Sequence, residues 1–281
     1  MAYKNIVVFV DPSPESMHRL RIAVDLARRC SAHLIGVYVV SGNIDDRPSD
    51  GFARGELAVC AVLERHRLAG ERSVVQVGRQ FADLVKNDEI QAEFRQVWNA
   101  EGDRSILVNS LYADLAVVGQ RAPHGLPQNW LPKHLLLASG VPMLVVPNCW
   151  TSDTIGKRIA IAWNASKEAR RAIADALPFL STAQAVKIFV VDAARHSDRH
   201  GEEPGANIAL HLARHGAVVE VERLESVGAP TADVILSATK RDNADLIVMG
   251  AHGHSRSRQL LFGSVTQAIL ENTAIPVLLS H

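Results

Sequence analysis

Asp245-Leu-Ile-Val-Met-Gly250-Ala-His-Gly253, followed after nine residues by Gly263-Ser264, decides how this chain is read. An apolar run comes first, then a glycine-punctuated loop, then a helical pattern from Val265 to Leu270. The order is strand, loop, helix start. A helix start carries unpaired backbone N–H groups and a partial positive charge, and both favour a phosphate. Glycines let a loop approach an anion with no Cβ in the way. The stretch reads as a cradle for nucleotide phosphates.

Working outward, the same strand recurs earlier. Ala244-Asp-Leu-Ile-Val-Met-Gly250 matches Ala113-Asp-Leu-Ala-Val-Val-Gly119. Ala274-Ile-Pro-Val-Leu-Leu279 matches Gly140-Val-Pro-Met-Leu-Val-Val146. At the other end, Lys157-Arg-Ile-Ala-Ile-Ala-Trp-Asn164 answers Lys4-Asn-Ile-Val-Val-Phe-Val-Asp11. Similar segments in the same order imply a duplicated domain. The seam falls near Pro147 to Gly156, where Pro, Asn, Thr, Ser and Gly cluster.

Each copy alternates short Val/Ile-rich runs with segments of helical period. Such continuous apolar runs suit parallel strands buried on both faces. The second copy predicts strands at about 157–163, 185–191, 217–224, 245–249 and 276–280, and helices at about 166–177, 204–215, 230–242 and 264–272. The first predicts strands near 4–10, 34–40, 91–97, 114–119 and 142–146. Its second helix runs to about residue 87, as one helix or as two broken at Gly70, and residues 41–52 read as a polar loop. The βαβα order implies open doubly wound α/β sheets.

Composition narrows the class. The 281 residues suit two domains of about 140. Lys+Arg and Asp+Glu are 30 each. The balance disfavours nucleic-acid binding by bulk charge. Three cysteines, Cys30, Cys60 and Cys149, form no C-x-x-C pair and read as reduced thiols of a cytoplasmic protein. The first apolar run is too short and early for a signal peptide, and none approaches a membrane span.

Doubly wound sheets bind ligands outside the carboxyl ends of their strands. The candidates are therefore Ala162, Trp163 and Asn164 after the first strand of the second copy, Val190 at the end of the next, and Met249 and Gly250 before the loop. Ala162 and Val190 would wall an adenine. Asn164 would meet ribose or phosphate, and Gly250 and Gly253 would turn the backbone around the phosphates. Arg256 or Arg258 would fold over them, the plain alternative being a solvated loop. The N–H groups of Gly263, Ser264 and Val265, with the Ser264 hydroxyl, would bind them directly. The plain alternative makes Ser264 an ordinary N-cap. His252 and His254 lack the partners of a usual zinc site and read as loop residues; no metal ligand is assigned.

With these residues the chain resembles a tandem universal stress protein over essentially its whole length. The nucleotide-binding subgroup of that family carries G-x-x-G, nine residues, then G-S/T, which Gly250, Gly253, Gly263 and Ser264 match. The resemblance implies two Rossmann-like, adenine nucleotide alpha hydrolase-like domains of five parallel strands, at 1–148 and 155–281. It implies ATP or ADP, with Mg2+, in the second domain. It also implies an intramolecular pseudo-dimer built by the final strands, with a homodimer of whole chains as a further option.

Two departures stand out. The family's Asp at the end of strand one is present as Asp11 but replaced by Asn164. The first copy has also lost the cradle. Asn129-Trp130 falls where Gly263-Ser264 lies, so Trp130 would fill the space a phosphate needs.

The expected function is a cytoplasmic stress-response protein that holds one adenine nucleotide, in its second copy, as a signalling or protective module. No general base stands beside the cradle and no arginine finger can be assigned, so slow hydrolysis is the most expected. The alternative is an interaction or scaffold protein of the same fold that binds no nucleotide. An adenylating enzyme is disfavoured, because neither first strand is followed by a Gly-rich loop.

Overall fold

The computed structural model describes residues 2–40, 56–88, 90–98, 103–120, 132–196, 202–251 and 263–281. Contacts divide them into two units, Tyr3–Ser139 and Gly140–His281, the latter with Met1–Ala2.

In the unit Tyr3–Ser139, β1 (Asn5–Val10), β2 (His33–Val40), β3 (Ala92–Trp98) and β4 (Leu115–Gly119) run parallel in the order β3-β2-β1-β4. Helices α1 (Pro14–Cys30), α2 (Glu56–Asn87), α3 (Asp103–Ser110) and α4 (Pro132–Ser139) connect or follow them. Strand β1 is apolar from Ile6 to Val10, where it is buried on both faces. α1 starts where Ser13 Oγ accepts the Ser16 N–H at 3.2 Å, with Pro14 in the first turn. It stops at Ser31, in the left-handed conformation with φ 50°.

α2 is one unbroken helix across Gly70. A glycine in a helix costs about 1 kcal/mol, too little to break a helix that packs on a sheet. A Cβ at Gly70 would sit 3.1 Å from Val40 Cγ1, so the glycine marks a close approach to β2.

In the unit Gly140–His281, the sheet order is β5-β10-β9-β6-β7-β8. The strands are β5 (Met143–Val146), β6 (Arg158–Ala162), β7 (Ala185–Val191), β8 (Val219–Leu224), β9 (Leu246–Gly250) and β10 (Val277–Ser280). The helices are α5 (Lys167–Asp175), α6 (Leu177–Leu180), α7 (Ala206–Arg214), α8 (Thr231–Arg241) and α9 (Ser264–Asn272). Strands β6 to β10 are parallel, while β5 pairs antiparallel with β10, Leu278 facing Leu144. Strand β10 is thus covered by the last strand of the first repeat.

The repeated Ala-Asp-Leu has a physical reason. The Asp245 carboxylate accepts the N–H groups of Gly156, Lys157 and Arg158 at 3.1, 3.0 and 2.9 Å and fixes the start of β6 beside β9. Asp114 accepts from Lys4 and Asn5 at 2.6 and 2.9 Å and does the same for β1 beside β4. Among the described residues, no helix is long and apolar enough to cross a membrane.

Candidate functional site

In the unit Gly140–His281 the chain runs from β6 outward to β7 and β8, then returns to β9 and β10 on the other side. The strand order therefore reverses between β6 and β9, where a doubly wound sheet opens a crevice at its carboxyl edge. Ala162 pairs with Met249 at that edge, so the structure brings Ala162, Trp163, Asn164, Met249 and Gly250 to one place. Met249 is buried, Ala162 and Trp163 are half-buried and Asn164 is exposed.

Val190 lies on the neighbouring strand β7, one residue beyond Phe189, which pairs with Ala162. It is 0% exposed on β7, and its side chain faces the position of Gly205. At the end of the same strand, Asp192 accepts the Ser226 N–H and hydroxyl at 2.9 and 2.7 Å.

Asn164 forms a tight turn. Its Oδ1 accepts the Ser166 N–H at 3.2 Å, and Ser166 Oγ in turn accepts the Ala169 N–H at 3.1 Å, capping α5. Between them Ala165 is held at φ +55°, a left-handed conformation that costs a residue with a Cβ about 1 kcal/mol. With Oδ1 committed to the turn, Asn164 presents its Nδ2 donors, which suit ribose or phosphate oxygens.

Gly250 is a glycine for a reason the sequence did not show. It does not adopt a positive φ. A Cβ there would collide with the Ala169 backbone nitrogen and the Glu168 carbonyl carbon, so it lets the first turn of α5 lie directly on β9.

α9 runs back from the carboxyl edge of the sheet between parallel β9 and β10, so its amino end lies at that edge. Its N-cap is Gly263, extended at φ −65° and ψ 157°, with no side-chain cap bond. Ser264 is the first helical residue and is exposed, so it is not the N-cap. The serine-capped starts of α1 and α5 differ: here, among the described residues, no side chain caps the first-turn amides of Ser264 and Val265. Gly253, Arg256, His252 and His254 lie outside the described residues, as do Asn129, Trp130 and the 41–52 loop. Among the described residues, no group of three or more His, Cys, Asp or Glu is placed to hold a metal ion.

The other unit reverses its strand order between β1 and β4. Arg19 fills that point. It is 3% exposed, its Nε donates to the Phe9 carbonyl at 2.8 Å, and its Nη2 donates to Asp11 Oδ2 at 2.5 Å. Its Nη1 takes the space a Cβ on Gly119 would need. Asp11 Oδ1 accepts the Ser13 N–H at 2.8 Å, so both carboxylate oxygens are engaged. The residue at the Arg19 place in the second repeat is Ala172, fully buried and without a polar group. Sequence reading missed Arg19, although it falls on the buried stripe of α1 with Leu20, Ala23 and Ala27. A cation on an apolar stripe eight residues past a strand-end carboxylate is the signal that could have found it.

Comparison with known proteins agrees with this geometry. A universal stress protein of Synechocystis is 48% identical over 68 residues, 24% of this chain and 22% of that protein. The match therefore spans about a fifth of that relative. A universal stress protein of Archaeoglobus fulgidus superposes with a TM-score of 0.67 at 16% identity, covering 98% of this chain and 95% of that one. A functionally unknown protein of Pseudomonas aeruginosa gives 0.60 at 16% identity, covering 99% and 92%. The sequence pattern of the universal stress protein family matches twice, at residues 2–147 and 156–281. With strand pairing, the repeated Asp anchor and this double match in agreement, the chain belongs to the universal stress protein family, with two copies of its domain in tandem.

Proposed function

We propose that the second domain, residues 155–281, binds one adenine nucleotide, ATP or ADP, and that the first, residues 1–148, binds none. One observation carries the reading: α9 begins behind Gly263 with no side-chain cap, on the edge of the sheet where the strand order reverses. The amides of Gly263, Ser264 and Val265 and the Ser264 hydroxyl would hold the phosphates. Ala162, Trp163 and Met249 would line the base side, and Asn164 Nδ2 would donate to ribose or phosphate. Mg2+ would be held chiefly by the phosphates. Gly253 and Arg256 complete the proposed set from sequence. Val190, fully buried on the adjacent strand β7, would complete the wall with Ala162.

The Arg19–Asp11 pair at the first domain's reversal point supports a single site per chain. The antiparallel pairing of β5 with β10 supports reading the two repeats as an intramolecular pseudo-dimer. The protein would act in the cytoplasm as a nucleotide-dependent signalling or protective module, with slow hydrolysis at most.

Ligand identity is tested on the full chain. Purified protein is denatured after exposure to ATP and Mg2+ and gel filtration, and the released molecules are read by mass spectrometry. The reading predicts an adenine nucleotide in near one-to-one yield. Its absence would leave the interaction or scaffold role in its place.

A further inference from the structure

We infer that His281 is a positioning residue for the carboxy-terminal site: its imidazole clamps Ala251, the residue that opens the glycine-punctuated segment, and so sets nucleotide affinity. The inference rests on the function proposed above. Ala251 is 0% exposed. Its N–H donates to the Ser280 carbonyl at 2.7 Å, one step beyond the Gly250–Ser280 register pair. Its own carbonyl lies 2.9 Å from His281 Nδ1. A carbonyl only accepts, so Nδ1 carries the proton and donates. Both backbone groups of Ala251 are thus held by one dipeptide, Ser280-His281.

The ladder bond alone is what any parallel pair of strands would supply. The imidazole bond is extra. It fixes the direction in which the chain leaves β9 at Ala251. The first repeat has Val146-Pro147 at the aligned place, and neither side chain can donate. The clamp is therefore missing in the repeat whose cradle is missing. His281 is itself exposed, so little packing is lost when it changes.

The experiment compares the full wild-type chain with His281→Ala and His281→Asn. Asparagine Nδ2 stands the same number of bonds from the backbone as histidine Nδ1, so it can restore the donor. ATP affinity is measured by titration calorimetry, thermal midpoint by scanning calorimetry, and amide exchange at Gly250 and Ala251 by NMR. His281→Ala is expected to weaken ATP binding by about 3- to 10-fold, as for one lost hydrogen bond, with an unchanged thermal midpoint. His281→Asn is expected to recover wild-type affinity. Equal affinity in wild type and His281→Ala overturns the inference.

If the wild-type chain binds no ATP, the proposed function fails and exchange decides the clamp alone. Exchange at Ala251 about 10-fold faster in His281→Ala, and wild-type in His281→Asn, upholds it. Unchanged exchange in His281→Ala overturns it.

Discussion

Arg19 and Ala172 occupy the same place in the two repeats, eight residues past the strand-end Asp11 and Asn164. Arg19 carries its charge into a buried position, is neutralised there by Asp11 and donates a hydrogen bond to the Phe9 carbonyl. Removing one member of a buried ion pair strands the other, whereas removing both is often close to neutral. Arg19→Met is therefore expected to cost about 3–5 kcal/mol, and Arg19→Met with Asp11→Asn to recover most of it. The amide introduced by Asp11→Asn would keep the turn bond to Ser13, as Asn164 keeps that to Ser166. Urea unfolding of the full chain checks this; a loss below about 1 kcal/mol for Arg19→Met alone would mean that Asp11 is well solvated without its partner.

At the scale of elements, α7 holds a pH-dependent contribution. His211 Nε2 is buried with no hydrogen-bond partner among the described residues, and the His215 ring stands 4.8 Å away, edge-on. Burial first, then the charges of Arg170, His215 and Arg214, push the His211 imidazole below its usual range. The unfolded chain then binds a proton at His211 more readily than the folded one. The neutral imidazole's contribution is complete above the unfolded value of about 6.5 and is lost as pH falls through that value toward the lower folded one. The wild type is expected to lose more stability than His211→Gln between about pH 7.5 and about pH 5. Parallel urea midpoints at the two pH values measure it, and identical losses would remove the role.

Elements were legible in the sequence where one period dominates. Strands β6 to β10 and the helices α5, α7, α8 and α9 appear within about two residues of expectation, because apolar runs mark the strands and helical periods, with the Ser166 cap of α5, mark the helices. Gly70 left α2 ambiguous, since local propensity cannot weigh a glycine against the packing that demands it. Gly250 was legible as a glycine at the site, but its use in seating α5 on β9 depends on a contact across 81 residues of sequence, from Ala169. Arg19 was missed for a related reason: its charge stood out on an apolar stripe, but the Gly119 gap that it fills forms only when β1 and β4 pair.

For the whole molecule, duplication has produced two reversal points with different contents. One is closed by an arginine and its carboxylate. The other ends at a turn on Asn164 and at a helix start with no cap of its own. The tandem family membership and the doubly wound fold follow from features spread along the chain, so they were legible early. The contents of each reversal point are set by a few side chains; the spaced glycines drew the sequence reading to the carboxy-terminal side, while the Arg19–Asp11 pair went unread.

The most direct test of this division is the stoichiometry of ATP binding, with Mg2+ present, to the full chain by titration calorimetry, alongside a Gly263→Trp variant. The indole would occupy the space in front of the first amides of α9. One nucleotide per wild-type chain and none for Gly263→Trp is the predicted result. Two nucleotides per chain, or undiminished binding by Gly263→Trp, would contradict it.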